Sequence, residues 1–338
     1  MLSKNIHTTD VVIVGAGPVG LFAIFQAGML EMKCHVVDAL DYVGGQCVTL
    51  YPEKPIYDIP AYPVITAADL IEKLKQQIAP FDTVYHLGQQ VTECQINNDV
   101  ITITTSAQQT IHTKSLIIAA GCGAFKYKKP ALDNIDEFED KTVFYSVKDK
   151  NKFVNQKVVI AGGGDSAADW ALLLSDIAEV IYLVHRRSNF RCAIHSLNQI
   201  KQLAERGKIQ MVTPYQLAKL NGENGILKEV LVSNFDGATK TLPADYLLAF
   251  FGLAADLGPI HKWGLKTDLR RIEVNAITHE TTVPGIYAIG DVASYPGKMK
   301  LIVTGFAEAA TVMNHCYEKV FGKKLHFQYS TLKGILRS

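Results

Sequence analysis

Short apolar runs alternate with longer segments of helical character along most of the chain. Residues 10–14 and 33–38 are rich in β-branched side chains and enclose a helical segment at 21–30. Strands that alternate with helices in this way are typical of parallel sheets covered by helices. The pattern therefore predicts an α/β fold.

This strand–helix–strand arrangement occurs a second time, with a strand predicted at 157–161, a helix at 168–177 and a second strand at 179–187. A glycine-rich turn joins the first strand to the helix in each copy. Asp38 lies 23 positions after Gly15 in the first copy, and His185, near the end of the second strand, lies 23 positions after Gly162 in the second. Two units of matched length predict two Rossmann-like domains.

A third pattern lies near the C-terminus, where residues 284–291 predict a strand and a turn, and 301–320 predict a helix. We expect this segment to return to the first unit. The first domain would then be discontinuous and consist of residues 1–121 and 253–338, the latter with a C-terminal extension. The second domain would be residues 122–252.

The first glycine-rich turn has a GxGxxG pattern at Gly15, Gly17 and Gly20. The first glycine permits the tight bend, the second lets the backbone approach a pyrophosphate, and the third lets the helix pack on the strand. The following helix N-terminus offers free N–H groups to phosphates. Asp38 ends the second strand, where a carboxylate can accept hydrogen bonds from ribose hydroxyls. We predict a dinucleotide site.

The second turn carries the same motif but has a different charge at the end of its second strand. Its motif positions are Gly162, Gly164 and Ala167. Arg186 and Arg187 stand near the position of the acid, and Arg191 follows four residues later. Guanidinium groups bind a 2′-phosphate through bidentate hydrogen bonds, whereas a carboxylate would repel it. We predict that this unit binds NADPH in preference to NADH.

Composition narrows the class of protein. Of 338 residues, 48% are hydrophobic and 20% are charged, and the net charge of +1 argues against a general nucleic-acid binder. The polar first ten residues and the short apolar stretch at 246–255 predict neither a signal peptide nor a membrane span, so we expect a cytoplasmic protein. The six cysteines form no CxxC pair, so we predict no metal site.

The two glycine motifs, together with residues 185–187 (HRR) and 285–291 (GIYAIGD), resemble the thioredoxin reductase fold group. The resemblance implies two Rossmann-like domains, the first for FAD and the second for NADPH. Thioredoxin reductase itself carries a redox CxxC just before the second glycine motif. The corresponding residues here are 145–148, Tyr-Ser-Val-Lys, so the disulfide chemistry is absent.

The chain is more similar to the bacterial ferredoxin–NADP reductases of the thioredoxin reductase type. This resemblance covers nearly the full length and includes a tail beyond Phe321. The motifs that carry it are residues 44–46 (GGQ), 50–54 (LYPEK), 57–60 (YDIP), 162–170 (GGGDSAADW), 257–260 (LGPI), 263–265 (WGL) and 295–298 (YPGK). The resemblance implies a homodimeric FAD enzyme that exchanges electrons between NADPH and ferredoxin or flavodoxin.

The same resemblance implies roles for single residues around FAD. Gln46 is expected to contact FAD, and Tyr51 to stack on the isoalloxazine ring. Val91 and Phe125 are expected to line the FAD site. Asp291 matches the acid that binds the ribityl chain.

In the tail, Tyr329 is expected to cover the other flavin face and Thr331 to contact the flavin. His326 is a competing candidate for the flavin cover.

NADPH gives up two electrons together as a hydride, whereas a ferredoxin accepts them one at a time, and a flavin can do both. The protein's task is then mainly placement, and no general acid or base is assigned. Two other functions stay open: an NADPH-dependent flavin reductase or diaphorase for small acceptors, and a redox sensor that binds both nucleotides without turnover.

Ferredoxin is usually acidic, and complementary charge steers its encounter with a reductase. Two lysine clusters are candidates for this docking surface. They are Lys126, Lys128 and Lys129, and Lys148, Lys150 and Lys152.

Overall fold

The structure is a computed structural model that describes residues 6–268 and 270–325, without the side chains of 124–126 and 253–255. The chain divides into two compact units. The first, discontinuous unit comprises Met1–Phe125 and Ala255–Ser338, and the second unit is Lys126–Ala254. Both unit boundaries lie a few residues beyond the domain boundaries that the sequence predicts.

Up to the first boundary, short strands and three helices follow one another. In chain order they are β1 (Ile6–Thr8), β2 (Val11–Val14), α1 (Pro18–Met29), β3 (Cys34–Asp38), α2 (Gly45–Leu50), β4 (Pro55–Ile56), β5 (Ile65–Thr66), α3 (Ala67–Ile78), β6 (Thr83–Leu87), β7 (Val91–Asn97), β8 (Val100–Thr105), β9 (Thr110–Thr113), β10 (Ser115–Ile118) and β11 (Ala124–Tyr127).

The second unit repeats the strand–helix order and adds a group of antiparallel strands. Its elements are β12 (Val143–Phe144), β13 (Lys157–Ala161), α4 (Asp165–Leu174), β14 (Val180–Val184), α5 (Ile194–Glu205), β15 (Ile209–Val212), β16 (Gln216–Glu223), β17 (Ile226–Ser233), β18 (Thr239–Pro243) and β19 (Tyr246–Ala249).

The remaining elements complete the first unit. They are β20 (Leu253–Asp256), β21 (Thr267–Asp268), β22 (Arg271–Glu273), β23 (Ile286–Ala288), β24 (Ala293–Ser294) and α6 (Ile302–Phe321).

A parallel sheet forms the centre of each unit. Its strand order is β23-β10-β2-β3-β6 in the first unit and β12-β19-β13-β14-β15 in the second. In the first sheet, Leu116 of β10 pairs with both Val12 of β2 and Ile286 of β23. The C-terminal part of the chain therefore completes the sheet that the N-terminal part begins. The predicted α/β fold is confirmed.

Burial explains why the central strands are uniformly apolar. In β2, Val11, Val12 and Ile13 are fully buried, because helices cover one face of the sheet and a second, mixed sheet covers the other. Parallel sheets are buried on both faces, so their strands lack a polar side. α1 is apolar on most sides for the same reason, since it packs against α3 and α6 as well as the sheet.

The helices α1 and α4 begin three residues before the predicted positions, at Pro18 and Asp165. The sequence pattern assigns the whole glycine motif to a turn, but its second half already has helical geometry. Proline at the first helical position and an acid in the first turn are both favourable helix starts.

Each unit also carries a second sheet that the sequence analysis does not predict, mixed in the first unit, where β1 pairs with β9 in parallel, and antiparallel in the second. The strand order is β1-β9-β8-β7 in the first unit and β16-β17-β18 in the second. Left-handed backbone at Asn98 and Asp99 turns the chain between β7 and β8, and Asn224-Gly225 does the same between β16 and β17. Such residues between alternating apolar runs are a hairpin signal in the sequence.

Among the helices in residues 6–268 and 270–325, none is both long enough and apolar enough to cross a bilayer.

Three histidines form a cluster where β1 meets the edge of the first parallel sheet. The ring centroids of His7, His35 and His86 lie 5.2–5.5 Å apart, and His35 Nδ1 is 3.0 Å from His86 Nε2. Burial, together with the neighbouring imidazoles of His86 and His7, lowers the pKa of His35 from 6.5 to about 4. Burial also lowers the pKa of His86. His35 and His86 are therefore neutral at pH 7.

We predict that the first unit loses stability as the pH falls from 6.5 towards about 4. Between these pH values the unfolded chain binds a proton that His35 does not bind in the folded protein. The contribution of His35 to the free energy of unfolding is therefore fully present above pH 6.5 and is lost as the pH falls towards about 4. In the His35→Leu variant, the dependence of unfolding on pH should weaken by roughly one bound proton.

The measurement is the thermal unfolding midpoint of the wild type and the variant across this pH range. His195→Gln, which alters an exposed histidine of the second unit, serves as the control and should keep the wild-type slope. An unchanged slope in His35→Leu would refute the prediction.

Candidate nucleotide-binding sites

A cavity of about 510 Å³ opens at the carboxyl ends of the first parallel sheet. Residues at or just beyond the carboxyl ends of β2, β3, β10 and β23 line it, among them Gly15, Asp38, Ala119 and Asp291. Open α/β sheets bind ligands in this position, beyond the carboxyl ends of the strands. The cavity lies entirely within the first unit.

The glycine turn on one side of the cavity has no room for side chains. Gly15 has a φ of +112°, and a Cβ there would lie 2.4 Å from the carbonyl oxygen of Ala119. A Cβ on Gly20 would lie only 1.9 Å from the carbonyl oxygen of Gly15. At Gly17, by contrast, the nearest atom to a Cβ would be 4.0 Å away. The protein itself therefore requires the outer two glycines, whereas the middle one is needed only if a ligand approaches.

The start of α1 is suited to an anion. Gly17 is its N-cap residue, and no side chain caps the free N–H groups of the first turn. These N–H groups and the positive end of the helix dipole favour a bound phosphate. Gly17, Pro18 and Val19 all line the cavity.

The Asp38 side chain is held rigidly at the end of β3. Its two carboxylate oxygens accept hydrogen bonds from the backbone N–H groups of Ala16 (2.6 Å) and Leu40 (2.8 Å). Burial raises the pKa of Asp38, and these two hydrogen bonds oppose the rise. Each oxygen keeps a further lone pair, which can accept a ribose hydroxyl.

The other residues to which the sequence analysis gives FAD contacts fall into two groups. Gln46, Tyr51, Val91 and Asp291 line this same cavity. The Phe125 side chain, His326, Tyr329 and Thr331 lie outside the described part of the chain.

Tyr51 has close polar neighbours. The Cys47 thiol donates to the Tyr51 hydroxyl at 3.9 Å, and the Lys54 ammonium lies 5.8 Å from the centre of the ring. Burial raises the pKa of Tyr51 and raises that of the Cys47 thiol to about 11. Both groups are therefore neutral at pH 7, and Tyr51 offers the cavity an uncharged aromatic ring.

The sequence analysis assigned no role to several residues that line the cavity. They include Gln89, Gln90, Pro259, Trp263, Lys300, Leu301 and Ile302. Trp263 is 9% exposed, and its indole N–H has no hydrogen-bond partner within the described residues. A buried donor normally finds a partner, so this one is available to a ligand. The WGL motif at 263–265 marks this tryptophan in the sequence, but only the fold shows that Trp263 borders the cavity.

The second glycine turn also has two glycines without room for a Cβ and one glycine with room, but the neighbouring atoms are different. A Cβ on Gly162 would lie 2.8 Å from the carbonyl oxygen of Phe250, and one on Gly163 only 2.2 Å from the His185 ring. A Cβ on Gly164 would meet no atom within 4 Å. Gly164 is also the uncapped N-terminus of α4. Gly17 and Gly164 are thus the open positions of their turns.

The loop that carries the arginines is attached to this turn at two points. The Arg191 N–H donates to the Gly163 carbonyl at 2.7 Å, and the Ala193 N–H donates to Asp165 Oδ1 at 2.9 Å. The side chains of Arg186, Arg187 and Arg191 are exposed. Across residues 6–268 and 270–325, none of these guanidinium groups has an ion pair with an acid. They are available to a phosphate group.

His185 lies beneath the turn and carries no charge at pH 7. Burial lowers its pKa, and the charges of Arg191, Arg186 and Arg187 lower it further, whereas a hydrogen bond from the ring to the backbone carbonyl of Asn189 raises it. The positive charge at this site therefore comes from the arginines.

Disulfide chemistry has no basis in the structure. All six cysteines are free thiols. In the stretch 145–148, Tyr145 donates its hydroxyl hydrogen bond to Glu139 and its ring stacks on Tyr127 at 5.4 Å. Among the described residues, no group of three or more His, Cys, Asp or Glu side chains is arranged to hold a metal ion.

The residues present fit both nucleotides. The first site combines an uncapped helix start, the Asp38 carboxylate, an unpartnered indole N–H and a largely apolar cavity, features that suit FAD. The second combines an open glycine turn with exposed arginines, as NADPH requires.

Comparison with known proteins agrees with this geometry. The family model of the pyridine nucleotide-disulphide oxidoreductases matches residues 9–309. A protein of Orientia tsutsugamushi (strain Boryong) named ferredoxin–NADP reductase is 84% identical over 338 residues, which is 100% of both chains. One of the same name from Rickettsia typhi is 57% identical over 328 residues, covering 97% of this chain and 98% of its own.

Solved structures of thioredoxin reductases share the fold. The Lactococcus lactis enzyme has a TM-score of 0.80 at 25% identity and covers 93% of this chain and 100% of its own. The structure of T. acidophilum thioredoxin reductase also has a TM-score of 0.80, at 23% identity, and covers 92% of this chain and 98% of its own. The predicted thioredoxin reductase-like fold is confirmed.

We predict that Gly17→Ala and Gly164→Ala each weaken the binding of one nucleotide while the protein still folds. A methyl group at either position meets no protein atom closer than 4.0 Å, but it occupies the space that a phosphate needs. Stability should change by less than about 1 kcal/mol. Gly17→Ala should weaken FAD binding at least about tenfold, and Gly164→Ala should raise the KM for NADPH by a similar factor.

The measurements are the flavin content after purification, the KM for NADPH and the unfolding midpoint. Gly20→Ala is the contrasting variant, because its methyl group overlaps the Gly15 carbonyl and should destabilise the fold itself. If Gly17→Ala kept the FAD content of the wild type, the pyrophosphate would not bind at this turn.

Proposed function

Because the chain belongs to the pyridine nucleotide-disulphide oxidoreductase family, we propose that it is an FAD-dependent ferredoxin–NADP reductase. It exchanges electrons between NADPH and a one-electron carrier, and the carrier is ferredoxin or flavodoxin.

One observation carries the proposal: two glycine turns of the same design end in opposite charges. Asp38 stands at the ribose position of the first turn, and Arg186 and Arg187 stand at that of the second. A carboxylate selects a ribose with free hydroxyls, as in FAD, whereas guanidinium groups select a ribose 2′-phosphate. A single chain therefore holds a flavin and receives NADPH.

Bound FAD takes up two electrons together and releases them singly, which matches a two-electron donor to a one-electron acceptor. The chain's own residues bind and orient. We assign the pyrophosphate to the start of α1, the ribose to Asp38, and the flavin surroundings to Gln46, Tyr51 and Val91. Asp291 accepts hydrogen bonds from the ribityl chain. No residue is assigned as a general acid or base.

Thiol–disulfide exchange is not part of this function. Thioredoxin reductases pass electrons through a cysteine pair, but here Tyr145 and Lys148 occupy the corresponding positions and all six cysteines are free. Electrons must therefore leave the flavin directly for the external carrier.

We propose that the carrier docks on Lys148, Lys150 and Lys152 rather than on the other lysine cluster. Lys150 and Lys152 lie in a short 3₁₀ turn, Lys150–Phe153, and Lys148 lies two residues before it; all three are exposed. In the other cluster, Lys129 is paired with Glu139 at 2.5 Å and lies 3.7 Å from Asp136. The acids reduce its positive potential, and the Lys126 side chain lies outside the described residues.

We further propose that the protein is a cytoplasmic homodimer, as its resemblance to bacterial reductases of this type implies.

We predict that Arg186→Ala raises the KM for NADPH about tenfold to a hundredfold and leaves the KM for NADH unchanged. A charge-assisted hydrogen bond contributes roughly 1.5–3 kcal/mol, and NADH has no 2′-phosphate to receive it. Steady-state kinetics with each nucleotide and a ferricyanide acceptor provides the measurement. Arg206→Ala, at the C-terminal end of α5, is the matched control and should leave both values unchanged. An equal loss with both nucleotides would contradict the 2′-phosphate role.

We predict that the purified protein is yellow and that it transfers electrons from NADPH to ferredoxin faster than to a small quinone. The measurement is stopped-flow absorbance with each acceptor in turn. Slow turnover with ferredoxin but fast turnover with quinone would favour a general flavin reductase. Absence of turnover with every acceptor would favour a sensor.

The same assay tests the docking surface. Replacing Lys148, Lys150 and Lys152 together by glutamine should slow ferredoxin reduction about tenfold at low salt, with no effect on ferricyanide reduction. The matched control replaces three other exposed lysines of the second unit, Lys201, Lys208 and Lys219, by glutamine. Equal rates for the two triple variants would exclude the proposed surface.

A further inference from the structure

A carboxylate outside the cavity lining connects two segments that do line it. Glu308 lies in α6 and is 2% exposed. Its partner Lys298 has a side chain that is 3% exposed, so the ion pair between them is almost completely removed from water. A buried ion pair needs further hydrogen bonds to offset the loss of hydration.

The hydrogen bonds of Glu308 account for both of its oxygens. Oε2 accepts from the backbone N–H of Gly290 at 2.7 Å. Oε1 accepts from the Tyr295 hydroxyl at 2.5 Å and from the Lys298 ammonium. The carboxylate therefore contacts the turn after β23 and the loop that leads into α6.

Both of these segments form walls of the cavity. Gly290 and Asp291 line it directly, and so do Lys300 and Ile302, which follow Lys298 by two and four residues. The loop is closed by a hydrogen bond from the Lys298 N–H to the Tyr295 carbonyl at 3.1 Å. One carboxylate thus determines where two separate walls of the cavity lie.

The backbone packing around Gly290 leaves little freedom for any other arrangement. Gly290 has a φ of +72°, and a Cβ on Gly305 of α6 would lie 3.4 Å from its Cα. The same Cβ would lie 2.4 Å from the Val19 side chain at the start of α1. α6 therefore packs closely against both the turn of Gly290 and the start of α1. Glu308 of α6 also accepts a charge-assisted hydrogen bond from the Gly290 N–H.

We propose that Glu308 and Lys298 are positioning residues for the flavin. Their ion pair holds the Asp291 turn and the start of α6 at the spacing that bound FAD requires. The inference rests on the proposed FAD site and extends it to residues that do not contact the cofactor.

The test compares FAD release and fold stability in two variants of the full-length holoenzyme. Glu308→Gln leaves the Lys298 ammonium buried without a counter-charge, so it should lower the unfolding midpoint as well as loosen the cavity. The double variant Glu308→Gln with Lys298→Met removes both charges at similar volume, so its stability should recover. FAD release should remain fast in it, because no ammonium then holds the loop before α6.

The measurements are the rate of FAD release after dilution, followed by flavin fluorescence, and the visible circular dichroism of the bound flavin. In both variants we expect release at least about tenfold faster than in the wild type, the equivalent of about 1.4 kcal/mol, with an altered dichroism band. If Glu308→Gln does not fold, the double variant decides.

The matched control is Glu280→Gln. Glu280 also accepts a hydrogen bond from a left-handed glycine, Gly285, at 2.8 Å, but neither residue lines the cavity. This variant should release FAD at the wild-type rate. The proposal is overturned if the double variant regains stability and also releases FAD with the wild-type rate and dichroism, because the ion pair would then be merely structural.

The outcome is separable from that of the proposed function. A wild type that holds FAD but does not reduce ferredoxin would refute the reductase function and leave the positioning role standing. A wild type that takes up no FAD would refute both.

Discussion

Close backbone packing at the two glycine turns is the constraint on which the rest of the structure depends. Gly15 and Gly20 contact neighbouring carbonyl oxygens so tightly that no side chain fits, and Gly162 is enclosed in the same way. This packing directs the first turn of the following helix, with its free N–H groups, towards the ligand space. The middle glycines, Gly17 and Gly164, stay open there. A single backbone design, used twice, thus provides two phosphate sites.

Side chains at the end of the second strand then distinguish the two sites, and backbone hydrogen bonds hold them in place. Asp38 accepts two backbone N–H groups, which orient its carboxylate. The arginine loop is attached through the Arg191 N–H to Gly163 and through Asp165 to the N–H of Ala193. The carboxylate and the arginines differ in charge, but in both units hydrogen bonds connect the segment that carries them to the glycine turn. We therefore propose that specificity for FAD or NADPH follows from the charge of these side chains, which two similar backbone frames hold in place.

The flavin unit is built from both ends of the chain, and its cavity depends on their contact. β23 pairs with β10, and the turn that follows it brings Asp291 to the cavity. Glu308 and Lys298 form a buried ion pair inside this returning segment, which is far from the glycine motif in the sequence. A discontinuous unit needs such a link because loop segments alone have many accessible conformations.

The sequence by itself determined the features that depend on neighbouring residues: the alternation of strands and helices, both glycine turns, Asp38 and the arginines. Periodicity and motif spacing are local, so they can be read without the fold. The tertiary structure alone decided which distant residues meet. Trp263 borders the cavity, His35 meets His86, and Glu308 reaches Gly290 only after the chain has folded back on itself. No local pattern encodes such contacts, because burial and hydrogen bonding between remote segments create them.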